Sequence, residues 1–396
     1  MKTAAGKRFW DAPHLPLFLL AAVWAVLAPL VWLFPDWSDD PVGWHRQELI
    51  LGFAGAAMGG YLLTALPHWL KQAGDGARGR VPGRRAVQSL VLAWGVGRIA
   101  AAQPGDGPLV MLGIGLYPLG LSLCLLVPVL SARLWRRLPI ALAPVGLLAV
   151  GVGLRLGGDG LTAALAMALI VAVVGGRIVP AFLASRAGYA TPAQRAALSL
   201  TGRLAELTMA LALVSHLLGM TDGATGWLLL AAAVGQIART RRWPLSVGLA
   251  GGQADLAMLI IGWLWLPVGL ILTGLALVAP GVLAGLSLPT ALHALTMGLM
   301  GGMILAIMAR ASMRRAPGVL QAQIGHKIAF ALVMLATVLR VALAGLPEAL
   351  PVPALLWSLG WTVFAGCAAR SVWVPVPHPV LSAARGGDGT GRQAGR

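Results

Sequence analysis

Apolar runs of about 20 residues recur along the whole chain, and this feature most limits what the chain can fold into. An α-helix of that length matches the hydrocarbon thickness of a lipid bilayer. Only 11% of the 396 residues are charged and 58% are hydrophobic, whereas a soluble domain carries about 25% charged residues. The sequence therefore predicts an all-α fold, an integral membrane bundle of hydrophobic helices.

Twelve candidate spans can be read between the polar loops. They cover residues 15–34, 49–67, 86–102, 108–130, 138–154, 160–184, 201–219, 224–238, 250–278, 289–309, 324–345 and 351–373. The first run is longer than a signal-peptide core and lacks a convincing cleavage site, which favours a retained span. We predict one polytopic transmembrane domain over residues 1–378 and a basic, Gly-rich disordered tail over residues 379–396.

The charges of the loops alternate along the chain. Basic clusters fall at residues 71–85, 131–137, 186–195, 239–242 and 310–315, and the intervening loops carry acidic residues or no bases. Because cytoplasmic loops of membrane proteins are rich in Lys and Arg, this alternation predicts that both termini are cytoplasmic. The net charge of +17 is explained in the same way. No basic stretch is interleaved with aromatics, so no nucleic-acid partner is predicted.

Three spans share a short motif. "GGYLLTALP" (59–67), "GGRIVPAFL" (175–183) and "GGMILAIMA" (301–309) each end a span that runs from the outside inward. The recurrence of this motif every four spans suggests three repeats of four helices. The alternative is that Gly-Gly recurs only because small residues let membrane helices approach closely.

Ionisable residues inside the spans are costly in lipid and are therefore candidates for function. The topology sorts them into two layers. The outer layer contains His45, Glu48, Arg98, His216, His293 and Arg340, and the inner layer contains His68, Arg177, Glu206, Arg310 and His326, with Asp255 in the inner half of its span.

His45 and His293 begin two spans at the same predicted depth, and a neutral imidazole is a common ligand of haem iron and copper. Met297 follows His293 by four residues and offers a soft thioether. The alternatives to metal binding are that the histidines lie at the membrane interface, bonded to water or headgroups, and that Met297 only packs against neighbouring helices.

Arg177 and Glu206 lie at similar depth on adjacent spans, and they predict a buried ion pair that holds the two helices together. A proton or anion route is the alternative. Together with the buried Asp255 it would indicate a transporter or channel for a small solute or metal. No GxxxxGK[ST], GxSxG or HExxH motif is present and the loops are short, so no enzymatic activity is assigned.

Four segments carry a resemblance to a known family. They read "WHRQELILGFAGAAMGGYLLTALPHW" (44–69), "GGRIVPAFLASRAG" (175–188), "WLPVGLIL" (265–272) and "LHALTMGLMGGMILAIMARASM" (292–313). In order and spacing they resemble the NnrS family, bacterial twelve-span membrane proteins described as binding haem and copper and tied to nitric oxide and denitrification. The resemblance implies a location in the bacterial inner membrane, in contact with the lipid bilayer.

The resemblance also implies site residues, and the chain departs from the family at two of them. His45, Glu48, Arg98, Arg177, His293 and Arg310 stand at matching positions. The family pattern WHxHE has a second histidine where this chain has Gln47, and a histidine of the ninth span is replaced by Ile260. His45 and Glu48 then either hold one haem or copper, or remain as a hydrogen-bonded remnant that orders the helix entrance.

We therefore predict that His45, Glu48 and His293 converge on one pocket in the outer half, where Glu48 fixes an imidazole. Arg98 or Arg340 would balance a haem propionate. The function implied is haem binding, with copper as a second metal, in a nitric oxide response. The alternatives are a transporter or channel, and a metal-free sensor or assembly paralogue.

Overall fold

The computed structural model describes residues 9–34, 39–71, 81–187, 192–283, 285–316, 319–343, 345–346 and 350–373. Side chains of residues 192–199, 315–316 and 319 are not part of this description. The predicted tail at 379–396 lies outside the described residues.

The described part of the chain is built almost entirely of helices. In chain order they are α1 (His14–Leu27), α2 (Pro41–Gln47), α3 (Gly55–Lys71), α4 (Arg84–Ala101), α5 (Pro108–Ser131), α6 (Leu138–Ala141), α7 (Ala143–Arg155), α8 (Gly160–Ala187), α9 (Pro192–Leu217), α10 (Asp222–Thr240), α11 (Leu245–Leu249), α12 (Ala254–Val278), α13 (Leu288–His293), α14 (Gly302–Ser312), α15 (Ile324–Ala342) and α16 (Pro351–Trp373). Short 3₁₀ segments lie at Ala28–Trp32 and Trp135–Arg137, and a two-stranded hairpin pairs Arg314–Ala316 with Val319–Gln321.

Nine helical segments within the described residues are long and apolar enough to cross a membrane. Three further long helices, α4, α9 and α10, occupy the positions of the third, seventh and eighth predicted spans. They are less apolar because they carry residues such as Arg98, Glu206 and Gln236. The prediction of an all-α membrane bundle is confirmed, while the count of twelve spans remains a prediction.

Two spans contain a π-helix, which the sequence analysis did not predict. In the second span (Pro41–Lys71) the segment Glu48–Ala54 lies between α2 and α3; we name it π1. In the tenth span (Leu288–Ser312) the segment Ala294–Gly301, named π2, lies between α13 and α14. Each π-helix directly follows the short helix that carries a candidate histidine. Such segments are rare and occur often at functional sites.

Side chains from neighbouring helices satisfy backbone groups of π1. The indole of Trp94 donates to the carbonyl of Gly52 at 2.9 Å, and the hydroxyl of Tyr117 donates to the carbonyl of Gly55 at 3.0 Å. An irregular helix in lipid needs such donors, since no water is present to replace the lost intrahelical bonds. Glycines also give indoles room in both segments: any side chain on Gly52 would clash with Trp24, and any on Gly298 would clash with Trp265.

The contacts between loops sort the helix ends into two groups. Arg155 donates to the carbonyl of Gly105 at 2.9 Å, which joins two loops predicted to be outside. Arg84 pairs with Asp11 at 3.1 Å, and Arg242 donates to Thr201 at 2.9 Å; both contacts join segments predicted to be inside. Each contact therefore joins loops of the same predicted side.

The first and last helices pack against each other. The indole of Trp357 donates to the carbonyl of Ala25 at 3.0 Å, and Ser358 donates to the carbonyl of Val26 at 2.9 Å. Phe53 of π1 stacks edge-on against Trp361, with ring centroids 4.9 Å apart. The aromatic contact therefore joins π1 of the second span to this pair of helices.

The Gly-Gly pairs are sites of close approach, as the packing interpretation predicted. Gly302 lies against Gly262, where an added Cβ would sit 3.3 Å from the other residue's Cα. Side chains at Gly60 and Gly176 would clash with Phe18 and Arg239, respectively. The sixth span (α8) is an uninterrupted α-helix, unlike the second and tenth. The three-repeat interpretation remains a prediction.

Candidate functional site

The imidazole of His293 has a defined tautomer. It ends α13, and its Nδ1 atom lies 2.6 Å from the carbonyl oxygen of Pro289, one turn earlier. A carbonyl oxygen only accepts hydrogen bonds, so in the neutral ring Nδ1 carries the hydrogen and Nε2 keeps its lone pair. A carbonyl partner on the second nitrogen is a common way of orienting a metal-binding histidine.

His45 lies in the last turn of α2, half-buried against the end of the first helix. Its ring meets Trp32 edge-on, with centroids 5.3 Å apart. The ring also lies close to the backbone carbonyl of Ala28. Its Nδ1 atom is nevertheless buried and makes no hydrogen bond to any residue that the structure describes. A buried polar atom without a partner is costly, which makes Nδ1 of His45 a candidate donor atom for a ligand.

The two histidines lie close enough together to interact with the same two arginines. His293 interacts with His45, and both rings interact with the guanidinium groups of Arg46 and Arg340. Arg340, a predicted residue of the site, and Arg46, which was not predicted, are both half-buried. Neither makes an ion pair or hydrogen bond with a described residue. The site thus combines two imidazoles with two positive charges that lack an anionic partner.

Glu48 does not play the predicted role. Its two carboxylate oxygens accept one hydrogen bond each, at 2.6 Å, from the guanidinium of Arg98 and the indole of Trp24. The carboxylate is therefore fully engaged and buried. The prediction that Glu48 orients an imidazole is wrong for His293, because the carbonyl of Pro289 takes that place. Arg98 is likewise committed to Glu48, which leaves Arg340 as the predicted arginine closer to the two histidines.

The two positions that depart from the family pattern lie far apart. Gln47 is buried in the outer half, where its Oε1 accepts from Arg155 at 3.4 Å and its Nε2 has no partner among the described residues. Ile260 is buried against Gly248, about 9 Å along α12 from that helix's inner end. An imidazole at residue 260 would therefore belong to the inner half and not to the site of His45 and His293.

Met297 lies in π2, one turn beyond His293, and is partly buried against the core. The π-helical winding changes the spacing that an α-helix would impose, although four residues still return to nearly the same face of the helix. No group of three or more His, Cys, Asp or Glu side chains suited to a metal ion occurs among the described residues. Met297 is thus the one predicted soft donor near His293.

His216, expected to have a plain interfacial role, pairs with Asp159 across two outer loops at 3.1 Å. Partial burial would raise the pKa of Asp159, but hydrogen bonds from Thr162 and His216 outweigh that effect and lower it. This pair is separate from the two candidate histidines.

In the inner half, the predicted pairing of Arg177 with Glu206 is wrong. Glu206 instead pairs with Arg239 at 3.1 Å, and the side chain of Arg177 is exposed on the surface of α8. The Nη2 of Arg239 also donates to the carbonyl of Gly176 at 2.7 Å. Arg177 points outward because the close approach at Gly176 turns the next residue away from the neighbouring helix.

Asp255 is buried, as predicted, and forms an ion pair with Arg310. The guanidinium of Arg310 also lies over the ring of Phe182, 4.1 Å from its centroid. Nearby, the Nε2 of buried His326 lies 2.9 Å from the hydroxyl of Ser312. Glu206 and Asp255 therefore each have an arginine partner, and each pair ties two neighbouring helices together.

Sequence reasoning missed four residues that the structure makes important. Arg46 contributes positive charge near both histidines, Trp24 donates to Glu48, Arg155 donates to Gln47, and Arg239 pairs with Glu206. Arg239 was read as a loop base, yet only 4% of its surface is exposed. A signal existed in Gly176 and Gly202, which leave room for a large side chain on a neighbouring helix; a Cβ at Gly202 would lie 2.9 Å from Cζ of Arg239.

Comparison with known proteins agrees with the resemblance carried by the four quoted segments. A family model described as NnrS protein matches residues 8–375, nearly the whole chain. No curated protein sequence matches the chain. On the family match, this chain is a member of the NnrS family.

Proposed function

We propose that the protein binds haem between His45 and His293 in the outer half of the membrane and takes part in a nitric oxide response. The observation that carries this proposal is the pair of imidazoles beside two arginines that have no anionic partner among the described residues. A haem matches both features of the site. Its iron takes imidazole ligands, and its propionate carboxylates pair with guanidinium groups.

The donor set fits haem better than a bare ion. A structural or catalytic metal ion usually takes three or four protein ligands. The described residues offer two imidazoles and at most the Met297 thioether at this place. A haem needs only one or two axial ligands because its macrocycle supplies the other four. Copper, the second metal of the proposal, would depend on Met297 as a third donor.

The residues of the chain have distinct parts in such a site. His293 presents Nε2, with its tautomer held by the carbonyl of Pro289. His45 presents the orphaned Nδ1 from the opposite span. Arg340 and Arg46 would hold the propionates. When bound, the haem would supply an iron centre for nitric oxide, provided that only one of the two imidazoles ligates the iron.

The transporter alternative has less support. It depended on twelve spans, the suggested repeat and buried Arg177, Glu206 and Asp255. Arg177 is exposed, and Glu206 and Asp255 are each paired with an arginine of a neighbouring helix, so helix packing accounts for both carboxylates. We therefore retain haem binding as the proposed function.

The test is spectroscopic. We expect protein purified in detergent, after expression with haem supplied, to show a Soret band that shifts when nitric oxide is added. His293→Ala should abolish haem binding. His216→Ala is the matched control, because His216 is also an outer histidine but pairs with Asp159; it should bind haem normally.

Two outcomes would contradict the proposal. One is wild-type protein that carries neither haem nor copper by absorption and metal analysis. The other is a His293→Ala variant that retains the full haem content.

A further inference from the structure

An apolar cavity lies where the second, sixth and tenth spans meet. Its volume is about 90 Å³. The three spans with Gly-Gly pairs all contribute to its wall, together with Phe18 of α1 and the start of α7. The lining includes Met58, Met167, Met303, Met308, Tyr61 and Gly175.

The wall of the cavity presents almost only carbon and sulfur. A charged or strongly polar molecule would lose its hydration there without gaining hydrogen bonds, which costs several kcal/mol. Water is disfavoured for the same reason, because a buried water normally makes about three hydrogen bonds. The occupant must therefore be uncharged and apolar.

The volume limits the size of the occupant. An engineered apolar cavity of about 150 Å³ in another protein stays dry and takes up benzene or xenon. At about 90 Å³ the present cavity is smaller, so it suits xenon or a diatomic gas and not an aromatic ring. Flexible methionine side chains can adjust to such a guest.

The cavity also has a route of entry. Several rim residues on α3, α8 and α14 are partly exposed at the surface of the bundle, among them Met58, Ile170 and Ile304. Small apolar molecules dissolve in the hydrocarbon core of a bilayer and would reach this rim without crossing water.

We propose that this cavity is a binding site for a small uncharged apolar molecule, of the size of a diatomic gas, that enters sideways from the bilayer. The proposal does not depend on haem, because none of the cavity residues is a candidate ligand of the histidine site. Failure of haem binding would leave it standing.

Xenon is the probe. Crystals of the full-length protein pressurised with xenon should show one anomalous peak inside the cavity lined by Met58, Met167 and Met303. Ala57→Leu adds carbon to the cavity wall and should remove the peak. Ala331→Leu makes the same substitution on the exposed surface of α15 and should leave the peak unchanged. Ile170→Phe, at the half-buried rim, is a second filling variant if Ala57→Leu does not fold, and it should also remove the peak.

The proposal is overturned if wild-type crystals show no xenon in the cavity. It is equally overturned if the cavity holds density for a lipid acyl chain that persists under xenon, or if both filling variants fold and keep the peak.

Discussion

Arg98 donates a hydrogen bond of 2.6 Å to Glu48, 50 residues away in the chain, and both side chains are buried within the bundle. Trp24 of the first helix occupies the other carboxylate oxygen, also at 2.6 Å. Three helices are therefore joined by one carboxylate at the start of π1. The Arg98–Glu48 pair fixes the start of π1 in the second span. His45, three residues earlier, has no comparable ion pair with a described residue.

Glu48→Gln should destabilise the fold. The amide keeps the shape of the side chain but leaves the Arg98 guanidinium buried without a countercharge, which costs about 3–5 kcal/mol. Thermal unfolding in detergent measures the effect. Asp159→Asn is the control, because the exposed pair with His216 contributes no more than about 1 kcal/mol. Equal stability of wild type and Glu48→Gln would refute this account of the pair.

Gly176→Ala should disrupt the inner half of the bundle. A methyl group there would clash with the guanidinium of Arg239 and so break its contacts with Glu206 and the Gly176 carbonyl. We expect a loss on the order of 3 kcal/mol, since a buried charge loses its partner. Denaturation in mixed detergent micelles would measure it.

Gly95→Ala provides the comparison for Gly176→Ala. An added Cβ at Gly95 meets nothing within 4 Å. It should be neutral or stabilise the protein by up to about 1 kcal/mol, because alanine favours a helix over glycine. If the two substitutions have the same effect, Gly176 does not make room for Arg239.

The topology can be tested by cysteine labelling across α5. Asp106 and Arg136 are both exposed and flank this helix, on predicted outer and inner sides respectively. With Cys124 and Cys367 replaced by serine, a membrane-impermeant thiol reagent applied to intact cells should label Asp106→Cys and not Arg136→Cys. Labelling of both variants from the same side would show that the number of spans between them is wrong.

Much of the fold was predictable from sequence because lipid imposes simple rules on helices. Runs of apolar residues and alternating bases located the long helices correctly, including α4 and α10, where Arg98 and Gln236 lower the hydropathy. The π-helices were not predictable in this way. Their winding depends on donors from other helices, such as Trp94 and Tyr117, that no local pattern reveals.

The sequence predicted at which depth each candidate residue lies, but it did not predict which residues contact each other. Depth along a helix follows from residue number, so the sequence placed His45, His293 and Arg340 in one layer. Which residue faces which depends on helix rotation, and π1 and π2 alter that rotation. Glu48 therefore meets Arg98 and Trp24. In the inner half, Glu206 meets Arg239 in place of Arg177, since the rotation of α8, α9 and α10 about their axes is set by packing and not by depth.

The π-helices also bear on how related sequences should be compared. Deleting one residue within π1 or π2 would let the segment relax to an ordinary α-helix, with the inner half of the span unchanged. The outer end, with its histidine, would keep nearly the same rotation, because a π-helix fits one extra residue into about the same number of turns. A relative that lacks one residue within π1 or π2 could thus keep its histidine on the same face, whereas the same deletion in the α-helical part of the span would turn that face by about 100°.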